Sequence, residues 1–181
     1  FQSNEQLYYL VIKMHNGYLN KKYFMDQETK YEKILVRYYS KVLEEEIVET
    51  LWTETIDKEK GLYKIENIPF YGPCFSSDDI VFAEYDNDEE CLTFRKVIEF
   101  SGNSTVQVII MNDEINRDDI RNIFKNLNCE SEALNEKYFV LEIPLKINYK
   151  SVFDKLIELQ ENEFIAFAEP VLSEKHRDET R

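Results

Sequence analysis

The spacing of hydrophobic residues changes near residue 110, and this change limits the possible folds more than any other feature. Before it, short β-prone runs such as residues 34–39 and 80–83 alternate with turn signals. After it, apolar residues follow helical spacing in residues 115–127 and 149–161. Strand-rich and helix-rich segments in one chain must cover each other's apolar faces. The sequence therefore predicts an α+β fold.

The first part of the chain, residues 5–110, is expected to form a β-meander or a small bent barrel. Asn16-Gly17 separates two β-prone segments and favours a type I′ turn, so residues 6–15 and 18–24 are predicted to pair. Gly102 is predicted to take a positive φ in a tight turn. Residues 1–4 read as the remnant of a cleavable expression tag.

The second part, residues 111–172, completes the order strand–helix–strand–helix–strand with the strand before it. Asn116 is predicted to cap the first helix ahead of Asp118 and Asp119. This order is typical of a ferredoxin-like α/β-sandwich, with helices on one face of a mostly antiparallel sheet. Residues 173–181 are polar and are expected to form a flexible tail. Because no clean linker separates the parts, they are expected to share one compact unit.

The net charge limits the partners that the chain can bind. Thirty-six Asp and Glu residues against 22 Lys and Arg give a formal net charge of −14. A field of this sign repels phosphate and anionic lipid, so nucleic acid and membranes are not expected partners. It accelerates association with a basic protein, although solubility alone also accounts for it. No apolar run approaches the roughly 20 residues of a membrane span.

The cysteine and histidine pattern does not predict a catalytic or metal site. Cys74, Cys91 and Cys129 are widely spaced and include no CxxC pair, which favours reduced thiols in a cytoplasm. A thiol nucleophile would need His15 or His176 as a base in space, and neither lies in a site-like context. The chain is therefore expected to be a non-enzymatic protein with no metal and no cofactor.

Two segments are expected to contact a partner or a ligand. Asp86, Asp88, Glu89 and Glu90 lie at the tip of a predicted hairpin, which can carry them into a basic cleft. Residues 67–73 contain two prolines and a glycine, and their polar groups could border a ligand pocket. The candidate ligand-binding residues there are Asn67 and Tyr71. The alternative is that Asn67 caps a turn and the neighbouring apolar residues fill the edge of the core.

An ordered series of short motifs runs from residue 45 to residue 172. The motifs are Leu51-Trp52-Thr53-Glu54, Tyr63, Asn67-Ile68-Pro69-Phe70, Asp79-Ile80-Val81, Ser101-Gly102-Asn103-Ser104-Thr105, Leu127-Asn128-Cys129-Glu130-Ser131-Glu132, Ile143-Pro144, Tyr149 and Glu169. In this order they resemble the bacterial family called domain of unknown function 4265. The resemblance implies a bacterial origin and a fold, but no activity and no functional residue. The family tends to have glycine where Asp78 and Asn128 stand.

Small size, strong acidity and the lack of a catalytic pattern together favour a binding protein. The first hypothesis is a cytoplasmic immunity protein that neutralises a basic toxin of the nuclease type, because acidic surface can fill a basic nuclease cleft. The alternative is a small-molecule-binding regulatory domain with a pocket near Asn67 and Tyr71. The sequence does not decide between them.

Overall fold

The computed structural model of the chain describes residues 30–40, 44–71 and 74–180. Within these residues, nine strands form a barrel and a four-stranded sheet, and the chain also has three helices. The predicted hairpin of residues 6–15 and 18–24 lies outside the described residues. The strands are β1 (Tyr31–Ser40), β2 (Glu45–Asp57), β3 (Leu62–Ile65), β4 (Ile80–Asp86), β5 (Cys91–Glu99), β6 (Ser104–Ile110), β7 (Glu130–Ala133), β8 (Tyr138–Ile143) and β9 (Ile165–Val171). The helices are α1 (Arg117–Lys125), α2 (Tyr149–Glu161) and α3 (Glu174–Asp178).

Strands β1 to β5 form a closed barrel in chain order. Each sequential pair is antiparallel, whereas β1 and β5 close the barrel in parallel, with Leu35 opposite Thr93. Alternate side chains point inward, and the contact between β1 and β5 closes the barrel through one residue pair. The buried barrel core consists of Ile34, Val36, Leu51, Tyr63, Ile65, Phe75, Val81 and Ala83.

The second sheet has the strand order β7–β8–β6–β9, and all its neighbours are antiparallel. Its apolar face packs against α1 and α2, and the barrel lies against its other face. Thr105 is opposite Glu142, and Ile109 is opposite Tyr138, so this barrel-facing side is rich in polar groups. The core under the helices includes Val106, Val108, Ile120, Phe124, Phe139, Leu141, Tyr149, Val152, Leu156 and Ile165.

The predicted fold class is wrong. The described residues are 46% strand and 19% helix, so the chain is mostly β, with two antiparallel sheets and three short helices, and is not a ferredoxin-like α/β-sandwich. The prediction missed β7, because its sequence Glu-Ser-Glu-Ala contains no β-branched or aromatic residue. The chain changes sheet before Ser104, so β6 lies in the second sheet, as the order strand–helix–strand–helix–strand implies.

The predictions made from local sequence are confirmed for the bounds of α2, for the cap of α1 and for the φ of Gly102. Helix α2 has the predicted bounds, and the Asn116 side chain caps α1 by accepting a hydrogen bond from the Asp118 N–H at 2.7 Å. Gly102 has φ +82°, and a Cβ at this position would lie 2.9 Å from Leu145 Cδ2. Residues 174–178, expected within a flexible tail, form α3. Within the described residues, no helix has the length and apolar character needed to cross a lipid bilayer.

Candidate functional site

Residues 66–79, here called the connector, link β3 to β4 and hold the barrel against the second sheet. The side chain of Phe75 is fully buried inside the barrel, where its ring lies 5.0 Å from that of Phe94, measured between centroids. The connector therefore supplies part of the barrel core itself.

Barrel side chains bind the connector along its first half. The Glu49 carboxylate accepts hydrogen bonds from Phe70 N at 2.7 Å and Tyr71 N at 3.0 Å. Asn67 Oδ1 accepts a hydrogen bond from Trp52 N at 2.8 Å, so this amide fixes the connector against β2. The turn cap considered for Asn67 in the sequence is a local role, whereas this hydrogen bond joins residues 15 positions apart and occupies the amide oxygen without a ligand.

The second sheet binds the same segment from the other side. Glu132 accepts a hydrogen bond from Ile68 N at 2.9 Å, and burial raises the pKa of Glu132. The Phe70 carbonyl accepts from Gln107 Nε2 at 2.8 Å and from the Tyr138 hydroxyl at 2.6 Å. The Tyr71 ring stacks on Tyr138 with centroids 6.1 Å apart. The candidate ligand-binding residues thus lie in a contact between the two sheets.

Asp79 is the centre of a buried polar junction between the barrel and the second sheet. Only 1% of its surface is exposed, and its carboxylate accepts hydrogen bonds from Ser76 N at 2.9 Å, Ser101 N at 2.7 Å and Ser101 Oγ at 2.8 Å. Burial raises the pKa of Asp79, and these bonds oppose that rise. The junction thereby fixes the turn between β5 and β6 to the end of the connector.

Further hydroxyl contacts extend the junction into the second sheet. Ser77 Oγ donates a hydrogen bond to Glu142, and burial raises the pKa of Glu142. Ser76 Oγ and Thr105 Oγ1 lie 2.9 Å apart, within hydrogen-bond distance. Asn103 Oδ1 accepts from Leu145 N at 3.0 Å. The Ser101–Thr105 motif is therefore a structural turn in a polar contact.

A groove of about 510 Å³ lies beside the junction, between the barrel, the second sheet and the C-terminal helix. Apolar side chains at its surface are well exposed, including Phe100 at 67% and Leu145 at 42%. Lys175 and Arg177 add positive charge to the wall formed by α3. The other lining residues are Cys74, Asp79, Gly102, Asn103, Pro170, Val171, Leu172, Ser173 and Glu174.

Arg37 links two acidic runs along one side of the barrel. Its guanidinium lies 2.8 Å from Glu46 Oε2 on β2 and 2.7 Å from Glu89 Oε1 in the turn between β4 and β5. The two carboxylates raise the pKa of Arg37, so it stays charged. We call this surface the acidic side. Its acidic residues are Glu44, Glu45, Glu46, Asp86, Asp88, Glu89 and Glu90.

The four predicted contact residues divide into two pairs. Asp86 and Glu89 hold the hairpin: Asp86 accepts from Asp88 N at 2.9 Å and from Arg95 at 2.7 Å, and Arg95 lowers the pKa of Asp86. Asp88 and Glu90 are exposed. The Glu44–46 run was not among the predicted contact residues, because nothing local in the sequence shows that Arg37 links it to the second hairpin.

The thiols and the described histidine are not arranged as a nucleophilic site. Desolvation raises the pKa of Cys74, and burial raises the pKa of Cys129 to about 12. His176 is fully buried and lies against Ser104, with 2.8 Å between its Nδ1 and the serine Oγ. His15 lies outside the described residues. Over residues 30–40, 44–71 and 74–180, no group of three or more acidic, cysteine or histidine side chains is placed to hold a metal ion.

The geometry can be compared with known proteins. A family model described as domain of unknown function (DUF4265) matches residues 49–167, which include the connector and the junction. The chain belongs to this family. The resemblance seen in the sequence is thus confirmed, and the DUF4265 match begins after Glu44–46 of the acidic side.

One solved structure shares the fold of this DUF4265 member. It is described as a novel crystal structure of a hypothetical protein from Neisseria gonorrhoeae. The two chains are 21% identical with a TM-score of 0.69, over 81% of this chain and 99% of the other. No curated protein matches the sequence.

Proposed function

We propose that this DUF4265 protein is a non-catalytic, cytoplasmic immunity protein that binds and neutralises a basic bacterial toxin of the nuclease type. The observation that carries the proposal is the Arg37 bridge, which joins Glu46 and Glu89, one residue from each of two acidic runs, along one side of the barrel. A nuclease must bind polyphosphate, so its cleft is basic and is complementary to such a surface. The same charge disfavours nucleic acid or an anionic membrane as the partner.

Exposed aromatic side chains beside the carboxylates support a protein partner. Tyr39 and Tyr85 are each 60% exposed. Tyr39 is opposite Glu46 in the β1–β2 pair, and Tyr85 directly precedes Asp86. Tyrosines provide large contact area and stack with cationic side chains, and they are enriched at energetically important interface positions. The acidic side therefore combines attraction at a distance with anchors for close contact.

The proposal is tested by co-expressing the gene with each gene adjacent to it in its genome. We expect one neighbouring product to arrest bacterial growth and this protein to restore it. Replacing both Asp88 and Glu90 with lysine is expected to abolish the rescue and to lower the association rate with the purified toxin at least about tenfold at low salt, because steering is lost. Asp86 and Glu89 are kept because they hold the hairpin.

A matched control separates a local surface from overall charge. Glu136 and Glu161 are exposed acidic residues on the second half of the chain, and replacing both with lysine changes the formal net charge equally. This variant is expected to rescue growth as the wild type does. Equal losses in the two variants would assign the effect to net charge alone. Failure of the folded wild-type protein to rescue against any toxic neighbour would refute the function.

The groove supports a second candidate, a small-molecule-binding regulatory function. Its volume is within the range of ligand pockets, and exposed Phe100 and Leu145 lie near Lys175 and Arg177. Apolar side chains beside cations suit a small anionic molecule with an apolar chain. This ligand site differs from Asn67 and Tyr71, which do not line the groove.

Decanoate is a suitable probe for the groove. We expect saturating decanoate to raise the melting temperature by about 3 °C, which corresponds to roughly 1 kcal/mol for a chain of this size. Phe100→Ala is expected to remove the shift, whereas Tyr39→Ala at the acidic side is expected to keep it. A shift that both variants retain, or no shift in the wild type, would count against a ligand site in the groove.

A further inference from the structure

The C-terminal residues 173–178, here called the clasp, dock through one buried histidine. Ser173 caps α3 by accepting a hydrogen bond from His176 N at 3.3 Å, and Ser173 N donates to Ser104 Oγ at 2.8 Å. Ser104 Oγ also lies 2.8 Å from His176 Nδ1. Both side chains are fully buried. A single hydroxyl on β6 thus holds the clasp at its cap and at its buried ring.

The other side of the imidazole lies near an aromatic ring, and its second nitrogen has no hydrogen-bond partner. The ring of Tyr149 on α2 lies 5.5 Å from the His176 ring, and His176 Nε2 is buried without a hydrogen-bond partner. An uncharged ring tolerates such a position, since only one of its two nitrogens carries hydrogen. Protonation would add a positive charge to a buried ring whose Nε2 has no hydrogen-bond partner.

The charged groups that face the ring have opposing effects. Burial and Lys175 lower the pKa of His176, whereas Glu179 and the nearby carbonyls of Leu145 and Ile147 raise it, and the net shift is downward. Those carbonyls accept hydrogen bonds from Lys175 Nζ at 2.7 and 2.6 Å. From α2, the Tyr149 hydroxyl faces Glu169 at 2.5 Å, and burial raises the pKa of Tyr149, so it stays uncharged.

We propose that the clasp is a pH-sensitive latch, docked while His176 is neutral and released when His176 is protonated. The clasp contributes Ser173, Lys175 and Arg177 to the wall of the groove. Release therefore removes one wall and opens the groove to solvent, whichever ligand or partner the protein binds.

The direction of the pH dependence follows from the lowered pKa. Docking favours the neutral ring. The free energy that stabilises the docked clasp is therefore fully present above the ordinary histidine pKa of about 6.5, and it decreases as the pH falls below that value. The Tyr149 N–H, a hydrogen-bond donor to Glu179 at 2.6 Å, lowers the pKa of Glu179. Glu179 therefore stays ionised over this window, and His176 is the group of the clasp that titrates.

Amide hydrogen exchange on the full chain tests the latch. At pH 7.5 and at pH 5.0, exchange rates are divided by the intrinsic rate at each pH. We expect protection of residues 174–180 to fall by up to about tenfold per pH unit below pH 6.5, as one linked proton requires. The amides of α2 are expected to keep their protection. Protection of the clasp that does not change with pH would overturn the proposal.

His176→Gln provides the control, because glutamine is uncharged at both pH values. We expect its clasp to show weaker protection that no longer depends on pH, and an undiminished fall in this variant would overturn the latch. If the variant does not fold, the titration of His176 in the wild-type protein, followed by NMR of the ring Hε1, decides the question. A His176 pKa at or above the ordinary value would also refute the proposal.

Discussion

We expect Phe75→Ala to lower the free energy of unfolding by about 4 kcal/mol, the size typical of a buried phenylalanine truncation. Phe75 comes from the connector rather than from a barrel strand, yet it is fully buried in the barrel core against Phe94. Strands fixed by closure cannot collapse into the space that the ring leaves, so a cavity remains. Urea unfolding followed by Trp52 fluorescence measures the loss.

Phe100→Ala is the matched control, since it makes the same change at a side chain that is 67% exposed. Its free energy of unfolding is expected to stay within about 0.5 kcal/mol of the wild type. Similar losses for the two variants would contradict the placement of Phe75 inside the barrel. A Phe75 variant with wild-type stability would show that the connector does not contribute to the core.

The second large effect is expected at the junction, where Asp79→Ala lowers the free energy of unfolding by about 3 kcal/mol. The substitution leaves the N–H groups of Ser76 and Ser101 without their acceptor at a position that is only 1% exposed, whereas the Ser101 hydroxyl can still donate to the Ser77 carbonyl at 2.9 Å. Buried donors without acceptors cost more than the hydrogen bond itself contributed. Thermal and urea unfolding of the purified variant measure the change.

Asp79→Asn tests whether the acceptor or the volume matters. Asparagine keeps one carbonyl oxygen in nearly the same shape, so we expect it to recover about half of the lost stability. Recovery by Asp79→Leu instead would indicate that the carboxylate only fills space. Asp88→Ala, at an exposed position of the acidic side, is expected to leave the unfolding curve unchanged.

Elements defined by neighbouring residues could be predicted from the sequence. The bounds of α2 follow from its hydrophobic spacing, and the cap at Asn116 and the positive φ of Gly102 follow from single residues. Strand β7 could not be predicted, because its polar residues become a strand only through pairing with β8. Tertiary pairing therefore decided the fold class.

The candidate site shows the same limit. The acidic hairpin tip is evident from Asp86 to Glu90, but its neighbour Glu46 is 40 or more residues away in sequence and is brought there by Arg37. Likewise, His176 lies in a polar segment with no apolar period, and its burial depends on Ser104, 72 residues earlier. Such contacts depend on how the sheets meet, which local patterns do not encode.

Closure of the barrel by its first and last strands has a consequence for synthesis on the ribosome. Leu35 finds its partner Thr93 only after the whole barrel sequence has been translated and has left the exit tunnel. Until then, the edge of β1 stays open to wrong pairing, and contacts between distant residues form slowly. Slower translation after residue 99 would give the barrel time to close before the second sheet emerges.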